Sequence, residues 1–310
     1  MASSSDNEEN KRNVEPTLSN DVANLLHAAD LDPTEIKLIV KTALEEDLRW
    51  GPDVTTSATT GKNATTVAEV VTRKPGVLAG LPVALEVLAE VGLPQDATVM
   101  LHSDGEVVAA GVPVLRITGS LRKILRAERT LLNFLTHLSG IATATRSWVD
   151  AIDGTGCIVR DTRKTTPGLR SLEKYAVRCG GGTNHRMGLG DAALIKDNHI
   201  IAAGGVTAAI KAVRKAAPDI VLEVECDTIS QVNEALAAKV KLILLDNMSL
   251  GDIRTAVALG HDYPETRFEA SGGLRLENAR VVAKTGVHFL AVGALTHSSP
   301  ALDLALDLCD

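Results

Sequence analysis

Residues 220–247 read IVLEVECDTISQVNEALAAKVKLILLDN, and this stretch decides the fold. Ile220–Val224 is a short, mostly apolar run with β-branched residues, the pattern of a strand. Ile229–Ala238 is Ala-rich and helical in pattern, and Leu242–Leu245 is a second apolar strand. Strands that are apolar on both faces, with a helix between them, belong in a parallel sheet covered by helices.

The unit recurs on both sides. Strands are expected at Cys157–Arg160, Ala192–Ile195, Arg267–Ala270 and Phe289–Val292, and helices at Val206–Ala217 and Ile253–Leu259. About six such units suggest an α/β barrel smaller or more open than the eight-stranded form. A doubly wound open sheet is the alternative. Its usual GxGxxG fingerprint after the first strand is absent.

Upstream, Asp32-Pro33-Thr34-Glu35 marks a helix start. Asp32 can cap, Pro33 suits the first helical position, and Glu35 can complete a capping box. Ile36, Ile39, Val40 and Leu44 make one apolar stripe, and Gly51-Pro52 stops it. Thr66–Thr72 predicts a strand, Val77–Val91 a helix, Val112–Thr118 a β segment and Ser120–Thr136 a helix. Together these make a small mixed α/β domain. The stretch from Asp104-Gly105 to Gly119 has the look of a lipoyl-carrier hairpin, but it lacks the lysine a carrier needs at its tip, which leaves plain β-structure.

Residues 1–20 are rich in Ser, Asn and Glu, with no apolar core of a secretory signal, and read as a disordered tail. Residues 21–136 form the N-terminal domain and 137–290 the barrel. Residues 291–310 are expected to finish the barrel and return as a helix onto the N-terminal domain.

A net charge of −7 leaves no global basic field for nucleic acid, and 2% aromatics leave few rings for stacking bases. Cys157, Cys179, Cys226 and Cys309 form no CxxC pair, so neither a zinc site nor a disulfide scaffold is indicated; reduced thiols and a cytoplasmic location are expected. No apolar run is long enough to span a bilayer.

Nearly every predicted strand ends in reactive residues: Asp161-Thr162-Arg163-Lys164, Lys196-Asp197, Glu223-Val224-Glu225, Asp246-Asn247, Glu269 with Ser271-Gly272-Gly273, and Gly293. The C-terminal ends of barrel strands converge on one mouth. A single such residue would read as a solvated strand end; recurrence in each unit indicates a site. Between Arg160 and Lys196 the chain is locally basic, which suits a small polyanion. Arg163, Lys164, Arg186 and Lys196, with His185, are the candidate ligands for carboxylate or phosphate. Arg170, Lys174 and Arg178 lie at helical spacing and read as a solvated helix face. Ser271-Gly272-Gly273 and Gly293 follow the last two strands, where barrels often bind phosphate through backbone N–H groups. Glu225 and Asp246 can hold Mg²⁺ or sugar hydroxyls, or pair with nearby cations. No Ser-His-Asp set, Cys-His pair or HExxH motif points to covalent catalysis.

Several blocks in order resemble the quinolinate phosphoribosyltransferase family. They are Asp161-Thr162-Arg163-Lys164-Thr165 with Pro167-Gly168, Gly180-Gly181-Gly182 followed by Asn184-His185-Arg186, and Leu194-Ile195-Lys196-Asp197-Asn198-His199. Glu223-Val224-Glu225, Leu244-Leu245-Asp246-Asn247, Glu269-Ala270-Ser271-Gly272-Gly273 and Val292-Gly293-Ala294-Leu295-Thr296-His297 continue the pattern. The likeness runs from about Pro33 to the C-terminus.

The resemblance implies an N-terminal α/β sandwich domain and an open α/β barrel. It implies that quinolinate and 5-phosphoribosyl diphosphate give nicotinate mononucleotide, diphosphate and CO₂, with Mg²⁺. It implies a homodimer in which each mouth is closed by the partner's N-terminal domain, with Arg129 reaching in from the other subunit. Thr162, Arg163, Lys164, His185, Arg186 and Lys196 would then bind substrate. Ser271, Gly272, Gly273, Gly293 and His297 would hold the 5′-phosphate. Lys164, Lys196, Glu225 and Asp246 would be the catalytic set, the two acids also facing the metal. Nicotinate phosphoribosyltransferase and a non-catalytic barrel that senses a phosphorylated metabolite are the alternatives.

Overall fold

The computed structural model describes residues 22–309, so the tail expected at 1–20 lies outside the described residues. The N-terminal domain runs α1 (Val22–Ala28), α2 (Pro33–Leu48), α3 (Val54–Thr59), β1 (Thr65–Thr72), β2 (Gly76–Val77), α4 (Leu81–Glu90), β3 (Thr98–Met100), β4 (Val107–Val108) and β5 (Pro113–Ser120). A single helix, α5 (Leu121–Ala151), then leads into the barrel. The barrel runs β6 (Ile158–Arg160), α6 (Arg170–Cys179), β7 (Ala193–Ile195), α7 (Asp197–Ala203), α8 (Val206–Ala216), β8 (Leu222–Cys226), α9 (Ile229–Ala237) and β9 (Leu242–Asp246). It ends with α10 (Leu250–Leu259), β10 (Arg267–Ser271), α11 (Leu276–Ala283), β11 (Phe289–Ala291), α12 (Ala294–His297) and β12 (Leu304–Cys309).

The parallel sheet has six strands in the order β6-β11-β10-β9-β8-β7. From β7 to β11 each strand lies beside the one before it in sequence, and the first strand, β6, lies beside the last. A doubly wound sheet would reverse direction; this order winds one way, as a barrel does. The seam falls between β6 and β7, where Thr183 bridges to Arg160 in parallel. The barrel is therefore open, as the strand count suggests.

The N-terminal sheet is antiparallel, β12-β1-β5-β3, with α5 packed on it and α4 packed on α5. Two expectations change here. The chain beyond 291 returns as a strand rather than a helix: Leu304 pairs with Thr72 and Cys309 with Val67. Leu302, Leu304, Leu306 and Leu308 alternate with period two, which suits an edge strand and covers the otherwise open edge of β1. The helix expected from Val77 starts only at Leu81, because Gly80 sits at φ +106 and Val77 pairs in β2.

Local signals explain the helix starts. Asp32 accepts the Thr34 N–H at 2.9 Å, and Pro33 opens α2. Glu35 does not turn back to close a capping box; it accepts the Ser171 hydroxyl at 2.8 Å and so ties α2 to α6. The expected boundary at 136/137 falls inside α5, whose buried face runs from Ile124 to Trp148 and serves both domains. Among the described residues no helix is long and apolar enough to cross a membrane.

Gly140 marks where the returning chain crosses α5. A Cβ there would stand 2.2 Å from the Pro300 carbonyl oxygen and 2.9 Å from Ala301 Cα. Helix propensity favours alanine over glycine by about 1 kcal/mol, but the obstructing atoms are backbone and cannot swing aside. Gly140→Ala is expected to lower the unfolding free energy by about 1–3 kcal/mol, the usual range for overpacking. Urea denaturation would show a reduced midpoint; an unchanged or raised one would mean the C-terminal segment is not seated on α5.

Candidate active site

Side chains two apart on a strand share a face. On β8 that rule groups Glu223 with Glu225, on β9 Leu244 with Asp246, and on β10 Glu269 with Ser271. Register lines up the rows: Asp246 pairs with Ser271, Glu225 with Leu244, and Ala291 with Arg160. Burial divides the inward face into two polar layers. Glu223 and Glu269 lie buried in the lower one, and Glu225, Asp246, Ser271 and Lys196 form the mouth.

A cavity of about 300 Å³ occupies this mouth. Thr162, Arg163, Lys164, His185, Arg186, Lys196, Glu225, Asp246 and Ser271 all line it, beside Leu194, Leu244, Glu269 and Ala291. Gly293 stands next to it: a Cβ there would lie 3.0 Å from Lys164 Cδ and 3.4 Å from both Thr162 Oγ1 and His297 Nε2. Absence of a side chain at Gly293 thus lets Thr162, Lys164 and His297 gather. Gly272 and Gly273, at φ +81 and +60, line an adjoining hollow that shares Ser271 with the main cavity. Asn247 leans over Gly272 and donates to Asp246 Oδ2 at 2.6 Å, which fixes that carboxylate.

Arg129 is not brought to the mouth. It lies exposed on α5 and lines a separate hollow with Asp47, Asp53 and Arg126.

The cations are set for anions from outside the chain. Arg186 donates through Nη1 to the Ala192 carbonyl at 2.9 Å, and burial together with the neighbouring Arg163 holds its guanidinium below the ordinary arginine value. Arg163 Nε is buried and has no partner among the described residues. Such an orphan donor costs stability unless a ligand satisfies it. Lys196 Nζ is 3.4 Å from Glu225 Oε2. Burial pushes the Glu225 carboxyl up, Lys196 pulls it down, and Asp246 pushes it up again. Glu225 and Asp246 thus form a crowded pair of oxygen donors, the kind of set a hard divalent cation takes.

Three side chains read as a solvated helix face are instead structural. Lys174 is completely buried and pairs with Asp161; its Nζ also donates to the His185 carbonyl at 2.9 Å. Arg178 donates to Asn184 Oδ1 and to the Ala29 carbonyl, each at 2.7 Å. Arg170 bonds Thr165 Oγ1 and the Met187 carbonyl. Helical spacing alone does not say whether a face meets water or polar loops.

Glu223, Asn247 and Glu269 were named at strand ends and Arg160 in the basic stretch, but none was given a role in the site. The period of two, counted down from Glu225 and Ser271, places Glu223 and Glu269 on the inward face. Burial and the adjacent Glu223 raise Glu269 to about 7, against the pull of Arg160 and His185.

Residues 53–139 match the quinolinate phosphoribosyl transferase N-terminal domain, and residues 141–307 match the C-terminal domain of that family. The chain is similar to the nicotinate-nucleotide pyrophosphorylase [carboxylating] of Mycobacterium leprae, at 51% identity over 271 residues, covering 87% of this chain and 95% of that one. It is 40% identical over 276 residues to a probable enzyme of the same name from Bacillus subtilis, covering 88% and 93%. The solved structure of the nicotinate-nucleotide pyrophosphorylase from Francisella tularensis superimposes with a TM-score of 0.83 at 38% identity, covering 94% of this chain and 98% of that one. Both domain models in order, and relatives matched over nearly their whole length, show that this chain belongs to the quinolinate phosphoribosyl transferase family.

Proposed function

We propose that the chain transfers the phosphoribosyl group of 5-phosphoribosyl diphosphate to quinolinate and releases diphosphate and CO₂. The product is nicotinate mononucleotide, an intermediate of de novo NAD biosynthesis, and the reaction runs in the cytoplasm. The observation that carries this reading is the cationic mouth, where Arg163 and Arg186 stand together and neither makes a salt bridge to a carboxylate among the described residues. Two adjacent guanidinium forks suit a ring with two carboxylates.

Arg163, Arg186 and Lys196 orient the ring so that its nitrogen faces the anomeric carbon. The N–C bond forms as the C–O bond to diphosphate breaks, through a positively charged, oxocarbenium-like transition state. Glu225 and Asp246 supply negative charge beside it, and Asn247 holds Asp246 in place. The quaternary nitrogen then stabilises the electron pair left on the ring carbon as CO₂ departs, and a proton from water completes the product. Ser271, Gly272, Gly273 and Gly293, with Thr162, Lys164 and His297, hold the 5′-phosphate. Glu225 and Asp246 are the residues that would face Mg²⁺, directly or through water. Bound there, the ion would neutralise the diphosphate.

Arg129 is assigned to the mouth of a second subunit. It makes no ion pair with an acid among the described residues, so an ordinary surface pairing does not account for it. Trp50 and Val54, nearby in sequence to the hollow it lines, are largely exposed at 92% and 69%. Leu189 and Ile201, in the segments around β7, are exposed to a similar degree. Apolar surface of this kind suits contact between subunits.

Incubation with quinolinate, 5-phosphoribosyl diphosphate and Mg²⁺ should yield nicotinate mononucleotide. Quinolinate should be preferred to nicotinate by roughly 100-fold or more in kcat/KM, because a ring with one carboxylate leaves a buried cation unpaired. Equal use of both rings would favour the nicotinate enzyme, and no diphosphate release at all would favour a sensing barrel.

Chelation with EDTA should abolish turnover and added Mg²⁺ should restore it. Full activity in chelator would show that the lysines and arginines suffice.

Arg129→Ala and Lys196→Ala should each be inactive, yet recover activity when mixed. Random exchange places both defects in one site of a mixed dimer and leaves the other intact, so about a quarter of all sites should work. Mixed dimers confirmed by native mass spectrometry but without recovery would remove Arg129 from the site.

A further inference from the structure

Strands β6 and β11 run parallel and separate at the mouth. The last backbone link between them is the Val292 N–H to the Arg160 carbonyl, at 2.9 Å. Beyond it one chain enters the 161–169 loop and the other turns into α12. The loop carries Arg163 and Lys164, and Thr166, Pro167 and Gly168 after them are exposed. Among the described residues, the one backbone–backbone bond inside the loop joins the Leu169 N–H to the Thr166 carbonyl at 3.1 Å.

Side chains therefore hold the loop. Thr162 Oγ1 accepts the Lys164 N–H at 3.0 Å, which makes a turn with Arg163 at its centre. Glu173 Oε2 accepts the Thr166 N–H at 3.0 Å. Between these two points the Lys164 carbonyl accepts the Thr296 hydroxyl at 2.8 Å, across 132 residues of chain. Thr296 is buried, and its hydroxyl has a single hydrogen to give. The other acceptor in reach, the Gly293 carbonyl at 3.2 Å, already takes the Thr296 N–H. The hydroxyl hydrogen goes to Lys164, the nearer oxygen.

The Lys164 side chain runs over Gly293, where a Cβ would stand 3.0 Å from its Cδ and 3.4 Å from His297 Nε2. Its ammonium makes no ion pair with an acid among the described residues. The backbone at Lys164 and the bare surface of Gly293 thus set where that charge stands.

We infer that Thr296 is a positioning residue for Lys164. Its hydroxyl fastens the Lys164 carbonyl to α12 and so keeps the ammonium beside Gly293 and His297, on the phosphate side of the mouth rather than the ring side. The role given to Lys164 rests on the proposed phosphoribosyl transfer; the fastening rests on the geometry alone. Arg163 is governed separately, because the turn between Thr162 and Lys164 does not involve Thr296. A buried threonine that only filled space would give way to valine, which has nearly its shape, without consequence.

The test compares Thr296→Val, which removes the hydroxyl, with Thr296→Ser, which keeps it. Thr296→Ala takes the place of the valine variant if that one fails to fold. Amide hydrogen exchange, read by mass spectrometry on peptides spanning residues 161–169 without substrate, should be about fivefold faster in Thr296→Val and unchanged in Thr296→Ser. Unaltered exchange in the valine variant would overturn the fastening. In kinetics, Thr296→Val should raise KM for 5-phosphoribosyl diphosphate about 5–10-fold, the equivalent of one lost hydrogen bond, and leave KM for quinolinate within about twofold. Thr296→Ser should restore the low KM. A rise in the quinolinate KM instead, or an equal rise in both, would overturn the placement of Lys164 on the phosphate side. Valine and serine variants that behave alike would reduce Thr296 to a space filler. Absence of turnover in the unaltered protein would count against the proposed reaction, and hydrogen exchange would still decide the fastening.

Discussion

The buried carboxylate of Asp161 is the constraint on which the mouth depends. It receives the Lys174 ammonium, the Asn184 side-chain amide at 2.5 Å and the His185 backbone N–H at 2.8 Å. Asp161 directly follows β6, Lys174 comes from the middle of α6, and Asn184 and His185 belong to the crossing segment before β7. One side chain thus joins the first strand end to its helix and to the next loop. Burial pushes the Asp161 carboxyl up and the Lys174 ammonium down, and each partner opposes the shift in the other. Removing one member of such a pair typically costs about 3–5 kcal/mol, because the survivor is a buried unpaired charge. Arg163 and Arg186 lie just beyond these anchored residues, so their spacing follows from this pairing.

Most of the architecture was legible because it rests on local periodicity. Two-sided apolar strands and Ala-rich helices required a covered parallel sheet, and the strand ends marked the mouth before any coordinates. What escaped was long-range. Lys174 and Arg178 have the spacing of a solvated face, and only the docking of α6 on the 183–186 segment buries them. The last strand did carry a signal, since Leu302 to Leu308 alternate, but the partner edge on β1 lies more than two hundred residues away. Asn247 illustrates a different loss: its positive φ of +52 and its bond to Asp246 depend on the bare backbone at Gly272, in the next strand's loop.

The candidate site followed the same division. Thr162, Arg163, Lys164, Arg186, Lys196, Glu225, Asp246 and Ser271 all line one cavity, because strand polarity brings their strand ends together. Arg129 could not be placed by such reasoning, and within its own chain it lies elsewhere. His185 was placed at the cavity as a candidate ligand from its position in the basic stretch. Its Nδ1 accepts the neighbouring Arg186 amide, a contact that residue type does not reveal.

These observations join in the electrostatics of the barrel. A mouth meant for a doubly charged ring must keep its arginines free of internal acids, yet the same inward faces carry four acids on β8, β9 and β10. The fold separates them by height. Glu225 and Asp246 stay at the mouth, where Lys196 partly offsets them. Glu223 and Glu269 sit buried beneath it, and Glu223 attracts Arg186 from there. Arg160 pairs with Glu269 there at 2.6 Å and offsets part of that charge. With part of the floor's charge met by Arg160, Arg163 and Arg186 keep more of their field for the cavity, which is what a polyanion entering an overall acidic protein requires.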